Sequence, residues 1–154
     1  MSRAFIKEDS GDEVPPERRQ PSGPNYATPR GLDLIRKKVE SLESAGAEKT
    51  PEGLRELRYW RVRLASVVLV DNAKNPPPDI RFGAWVETRE ADGKTVRRRI
   101  VGQDEAEGNA GAISWDSALG LALIGHSAGD AISWSDGDAD RESAVIAFGY
   151  AAAA

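Results

Sequence analysis

Arg81 to Gly102, RFGAWVETREADGKTVRRRIVG, is the stretch whose pattern decides the fold class of this 154-residue chain. Apolar and polar side chains alternate from Phe82 to Arg89, Asp92-Gly93 is a tight-turn pair, and alternation resumes from Thr95 to Val101. Period two on both sides of an Asp-Gly turn predicts an antiparallel β-hairpin. Arg97 and Arg99 then share one face, which reads as a solvated sheet surface, and Arg98 points the other way. Downstream, Ile113 to Trp115 reads as a short strand and Asp116 as the cap of a helix over Ser117 to Ile124, stopped by Gly125. Ala131 to Ser135 and Ser143 to Tyr150 read as strands around the turn Asp136-Gly137-Asp138. The second half is therefore an antiparallel sheet with one helix packed on it, an α+β unit. Trp115 and Trp134 fall in strands and read as packing residues; His126 reads as a cation just past a helix end.

Upstream of this unit the period changes to that of a helix. Thr28-Pro29-Arg30-Gly31-Leu32 and Thr50-Pro51-Glu52-Gly53-Leu54 each place a Thr cap before a Pro at the first helical position, where a missing N–H costs nothing. Leu32, Ile35, Val39 and Leu42 recur at helical spacing in the first helix. Leu54, Leu57, Arg61, Leu64 and Val68 form the matching stripe in the second, with Arg61 as a charged intruder. Residues 28–70 are thus expected to fold as a short antiparallel helical hairpin with a coiled-coil seam, turning at Ser44 to Lys49 around Gly46. Such a seam is too short to stand alone and must lean on something. Tyr59 and Trp60 read as the seal between the hairpin and the sheet unit. Residues 71–80, with three consecutive prolines at Pro76 to Pro78, read as a semi-rigid linker. Residues 1–27 are rich in Pro and charge and read as a flexible tail, with Phe5 and Ile6 its one early apolar pair.

Composition bounds the function. There is no cysteine and one histidine, which excludes disulfides, thiol chemistry and a histidine-rich metal site and argues against a Ser-His-Asp triad. No long apolar run and no leader pattern is present, so the expected setting is the cytoplasm, with no membrane association. The net charge of −4 divides as −1 over residues 1–27, +3 over 28–70 and −6 over 71–154. A basic middle within an acidic whole does not suit bulk binding to DNA, but it allows a local encounter with phosphates or an acidic partner. Arg36, Lys37 and Lys38 on the first helix, with Arg55, Arg58, Arg61 and Arg63 on the second, form that basic patch. Its plain reading is a solvated helix face with local ion pairs.

RFGAWVETREADGKTVRRRIVGQDEAE (Arg81 to Glu107) resembles the C-terminal domain of the bacterial Gre transcript-cleavage factors, on the GreB side because Trp85 follows Phe82-Gly83-Ala84. The resemblance runs on through ISWDSALGLALIG (Ile113 to Gly125), Gly129-Asp130 and the last strand to Tyr150. Thr28 to Leu42 and Tyr59 to Asp71 are similar to the family's two coiled-coil arms. The resemblance implies an FKBP-like domain over 81–150 that docks on RNA polymerase at the rim of its secondary channel, while the coiled coil enters the channel. It places Asp116, Ser117 and Ala118 in the surface that meets polymerase, with Ala118 where the family has proline. It also gives the basic patch a contact with RNA or with the channel wall.

In the family, acidic residues at the hairpin tip hold a second Mg²⁺ at the polymerase's own centre. That tip motif is absent here; Ser44 to Glu52 reads SAGAEKTPE, with Glu48 and Glu52 its available carboxylates. Glu52 sits where a carboxylate meets a helix dipole and Glu48 in a turn, which is their ordinary reading. Each arm is also shorter by roughly a dozen residues, or about 20 Å of helix. The expectation is a channel-binding regulator with no catalytic residue, metal, cofactor or small-molecule substrate of its own. The alternatives are a genuine cleavage factor using Glu48 or Glu52, a prolyl isomerase by fold analogy, and a regulator of nucleoside diphosphate kinase, to which short-armed relatives are linked.

Overall fold

The computed structural model describes residues 16–150; the tail before Pro16, with Phe5 and Ile6, and the closing alanines lie outside the described residues. Both Thr-Pro helix starts are realised. The Thr28 side chain accepts from the Gly31 N–H at 3.0 Å to open α1 (Pro29–Ser44), and Thr50 accepts from Gly53 at 3.0 Å to open α2 (Pro51–Ser66). Gly46, with φ of 71°, reverses the chain into a 3₁₀ turn, Ala47–Lys49, between them. Ile35 and Val39 of α1 bury against Leu57, Tyr59 and Trp60 of α2, with Leu42 and Leu64 at the margin.

The buried stripe of α2 differs from the expected one. Arg61 lies on the exposed side, and Val68 belongs to a strand after the helix has ended. The face turned inward carries Leu57, Tyr59, Trp60 and Arg63. Tyr59 and Trp60 each bury a large ring beside Leu57, and Arg63 finds buried partners that offset its desolvation.

Asn25 to Ala27, expected within the flexible tail, form β1 and pair in parallel with β2 (Val67–Leu69), Tyr26 opposite Val68. The Val70 N–H extends the ladder to the Ala27 carbonyl at 2.9 Å. The pairing joins residues some forty positions apart, which no local pattern announces. Residues before it are also held: Gln20 Nε2 donates to the Tyr59 carbonyl at 3.3 Å and Arg18 to Glu56 at 2.7 Å.

The second unit is a five-stranded sheet in the order β5-β4-β3-β7-β6. β3 (Trp85–Glu90) and β4 (Thr95–Val101) are the expected hairpin, in register Trp85 to Arg99. β7 (Asp140–Gly149) lies antiparallel on the other side of β3, and β6 (Ala131–Ser135) forms the edge beyond it. β5 (Ala112–Ser114) runs parallel to β4, so the sheet is mixed where an all-antiparallel one was expected. The crossover that makes this possible is short and contains α3 (Gln103–Ala106), a helix the sequence reading did not anticipate. α4 (Ala118–Leu123) covers the core face, where Ile80, Val86, Ile100, Leu119, Leu123 and Val145 meet. The linker ends inside this unit: Ile80 is fully buried, its N–H donates to the His126 carbonyl, and the Tyr150 hydroxyl donates to the Asp79 carbonyl at 2.5 Å.

The two units meet at Gly102. A Cβ on this residue would stand 2.3 Å from the Tyr26 carbonyl oxygen, so only glycine lets the start of α3 close against β1. Gly102→Ala is expected to cost about 2 kcal/mol and lower the urea midpoint without changing the slope. Gly111→Ala, whose Cβ meets nothing nearer than 3.8 Å, is the control and should leave the midpoint unchanged.

Candidate functional site

Above Gly102, α3 brings a charged joint together. Arg63 and Asp104 are buried side by side, with side-chain exposures of 2% and 4%, and the Arg63 Nε donates to Asp104 Oδ2 at 2.6 Å. The other Asp104 oxygen accepts from the Tyr59 hydroxyl at 2.9 Å. Arg63 also donates to Asn25 Oδ1 at 2.7 Å and to Gln103 Oε1 at 3.0 Å, and Asn25 returns a bond to the Arg63 carbonyl at 2.8 Å. A further buried bond runs from the Thr28 hydroxyl to Glu105 at 2.5 Å. Burial, and after it the Asp104 charge, pushes the Tyr59 phenol up to about 12. The sequence reading placed Arg63 in the solvated patch; the signal against that was its position four residues after Tyr59 and three after Trp60, on the same helix face.

Gln103 links this joint to the loop before α4. Its Nε2 donates to Asp116 Oδ2 at 2.8 Å and to the Ser22 carbonyl at 3.0 Å, while its oxygen accepts from Arg63. Asp116 also accepts a short bond from the Ser114 hydroxyl. It is not the helix cap: Ser117 is, its side chain accepting from the Gly120 N–H at 3.1 Å. The Asp116 carboxylate is thereby oriented from two sides yet remains exposed, as does Ala118 beside it. Trp115 lies just past β5 and lines a groove of about 570 Å³ with Tyr26, Phe82, Leu121 and Ile124. Leu121 is 58% exposed on its rim, and the buried Trp115 indole N–H has no hydrogen-bond partner among the described residues. Tyr26 meets Trp115 edge-on at 5.2 Å between centroids, so β1 and the sheet unit both build the groove wall.

The basic residues do not form one open surface. Arg61 pairs with Glu43 at 2.8 Å and Glu48 at 3.3 Å, Arg58 with Glu17 at 2.5 Å, and Lys37 with Asp33 at 2.9 Å. The Arg55 Nε donates to the Pro16 carbonyl at 2.5 Å, and Lys38 lies 5.7 Å from the Trp60 ring. Arg36 is exposed. Arg18 comes from the preceding segment and stacks on Tyr59 at 3.8 Å. At the tip, Glu48 is committed to Arg61 and Glu52 is exposed in the first turn of α2. Among the described residues no group of three or more His, Asp or Glu is placed to hold a metal, and no helix there is long and apolar enough to cross a membrane. His126 Nδ1 lies 3.1 Å from Asp130 Oδ2 in the loop after α4.

Residues 75–150 match the family model described as transcription elongation factor, GreA/GreB, C-terminal. This chain carries a Gre-type C-terminal domain. It is 40% identical over 78 residues to the transcription elongation factor GreB of Pseudomonas putida, covering 51% of this chain and 48% of that one. It is 38% identical over 79 residues to the transcription elongation factor GreA of Zymomonas mobilis, covering 51% of this chain and 50% of that one. The chain spans about half the length of these curated relatives. Among solved structures, the transcription factor Gfh1 aligns with 83% of this chain and 99% of its own, at 19% identity and a TM-score of 0.42. The elongation factor GreA/GreB from Nitrosomonas europaea aligns with 82% and 99%, at 20% identity and a TM-score of 0.42. The matched residues include Asp116, Asp104 and most of the groove wall; Tyr26, Val70 and Asn72 of that wall, like Arg63, Tyr59 and Asn25, come from the part of the chain that precedes them.

The buried pair makes two predictions. Asp104→Asn leaves the Arg63 charge without its counterion and is expected to cost about 3–5 kcal/mol in urea unfolding; a double change to Arg63→Met and Asp104→Leu should recover part of that loss. Tyr59 makes stability fall with alkali. Below the unfolded tyrosine value near 10 both states are protonated; as pH rises from there toward about 12 the unfolded chain loses the proton first. Stability should therefore decline across that window, and Tyr59→Phe should make the decline shallower.

Proposed function

We propose that this chain is a transcription regulator that binds RNA polymerase at its secondary channel through the Gre-type domain and acts by occupying the channel entrance. The observation that carries the reading is the exposed Asp116, held by Gln103 and Ser114 within the stretch that matches the GreA/GreB model and next in the chain to Trp115 of the apolar groove. An oriented carboxylate next in the chain to Trp115, whose groove Leu121 also lines, suits a partner helix that presents a cation and an apolar side chain. The relatives are named transcription elongation factors, which favours polymerase as that partner.

The hairpin supports occupancy over assistance in RNA cleavage. Each helix has 16 residues, about 24 Å of rise. Glu48 is turned onto Arg61, and Glu52 stands alone in the first turn of α2. A hard divalent cation needs several oxygen ligands at 2.0–2.6 Å; the tip carboxylates that converge, Glu43 and Glu48, do so on the Arg61 guanidinium, and among the described residues no third joins them. On this reading the FKBP-like unit is the docking head and the paired helices, a short coiled coil, are the plug. RNA contact falls to Arg36 and Lys38 on α1, since Lys37, Arg55, Arg58 and Arg61 are already paired.

Purified core polymerase should retain the chain on a column and lose it with Asp116→Lys, an exposed position whose reversal should leave the thermal midpoint within about 1 °C. Added to a stalled, backtracked elongation complex, the chain should leave the RNA 3′ end intact. Prompt cleavage would reinstate a catalytic tip, and retention unaffected by the charge reversal would move the docking surface elsewhere.

A further inference from the structure

The outer face of the sheet carries a second concave site, separate from Asp116 and its groove. Trp85 on β3 and Arg97 and Arg99 on β4 point to the same side because strand side chains alternate, and Trp85 sits directly opposite Arg99 in the register. Arg30, in the first turn of α1, closes the site from the hairpin, and Asn109 from the loop before β5. The cavity between them measures about 210 Å³. Gly149 on the neighbouring strand shapes it: a Cβ there would lie 2.8 Å from the Trp85 ring, so the glycine lets the indole lie down on the sheet. The Arg97 guanidinium then stacks on that indole at 4.1 Å from the ring centroid, and Arg99 is anchored to the Gly83 carbonyl at 2.9 Å.

Three guanidiniums thus face one small cavity. Two carboxylates stand near them: Glu105, buried and bonded by Thr28, and Glu87, 3.7 Å from Arg97 at the rim. Burial first, and then repulsion from Arg30 and Arg97 against the attraction of Glu105, holds Arg99 below the usual arginine value. Against Glu105 and Glu87 together the three arginines keep a surplus of one positive charge. Planar guanidinium forks around one cavity match phosphoryl oxygens in pairs, better than they match a halide or a single carboxylate. At about 210 Å³ the cavity falls below the usual size of pockets that enclose drug-sized ligands and suits a group of diphosphate size.

We propose that the cavity lined by Arg30, Arg97, Arg99 and Trp85 binds a diphosphate group, either free pyrophosphate or the phosphate end of a nucleoside diphosphate whose base stays outside. The Trp85 indole N–H reports occupancy directly in a ¹H–¹⁵N correlation spectrum of the full chain titrated with pyrophosphate at constant ionic strength. The Trp85 resonance should shift and saturate with a dissociation constant below about 1 mM, while Trp134 in β6 stays put. Arg30→Gln and Arg97→Gln, both at exposed positions, should each weaken binding at least about tenfold with an unchanged thermal midpoint. A parallel titration with guanosine diphosphate separates the sources: tighter binding than pyrophosphate assigns the site to the nucleotide, equal or weaker binding to the free anion. A shift that never saturates, equal affinity for sulfate, or undiminished binding by the Arg30→Gln/Arg97→Gln double variant overturns the proposal.

Discussion

A buried guanidinium against a buried carboxylate, Arg63 on Asp104, is the constraint on which the rest of the molecule depends. An arginine removed from water must have its charge matched and its donors filled, or the fold loses several kcal/mol. The chain meets that demand from three places far apart in sequence: Asn25 before the first helix, Gln103 and Asp104 in α3, and the Tyr59 hydroxyl that occupies the second carboxylate oxygen. Because each partner sits on a different element, satisfying Arg63 fixes the hairpin, β1 and the sheet unit relative to one another. Gly102 provides the contact distance that lets this happen, and the parallel pairing of β1 with β2 is its backbone counterpart.

The same network reaches the surface. Gln103 uses its oxygen on Arg63 and its amide on Asp116, so the exposed carboxylate of the proposed docking face is oriented by a group anchored in the joint. A side chain held in one rotamer before contact loses less entropy on binding than a free one. The apolar groove beside it is likewise a product of both units, since Tyr26 comes from β1 and Trp115, Phe82 and Leu121 from the sheet unit. β1, paired to the end of the hairpin, thus supplies part of the proposed docking face.

Charge on the hairpin is managed by local pairing. The segment from Pro16 to Gln20 lies along α2, with Glu17 on Arg58, the Pro16 carbonyl on Arg55 and Arg18 stacked on Tyr59. Glu43 and Glu48 take up Arg61. A net charge of +3 over residues 28–70 therefore overstates what an approaching phosphate would meet on α2. By contrast Arg30, Arg97 and Arg99 converge on a cavity where the carboxylates are fewer than the cations.

Local chemistry alone determined the helix starts at Thr28 and Thr50, the Asp92-Gly93 hairpin, the reversal at Gly46 and the strand positions near the C-terminus, because caps, turns and periodicity act within a few residues. The alternation of Arg97 and Arg99 was legible for the same reason, and so was the Gre-type motif string from Arg81 onward. What required the tertiary structure were events between distant segments: β1 on β2, the parallel placement of β5, and the choice of Arg63 over Arg61 as the buried cation. Position along a helix says which residues share a face, but not which face turns inward when two large aromatics and a remote carboxylate compete with a leucine stripe. Likewise the sequence placed Asp116 at a helix start, while only the fold showed Ser117 taking the cap and Gln103 holding the carboxylate toward solvent.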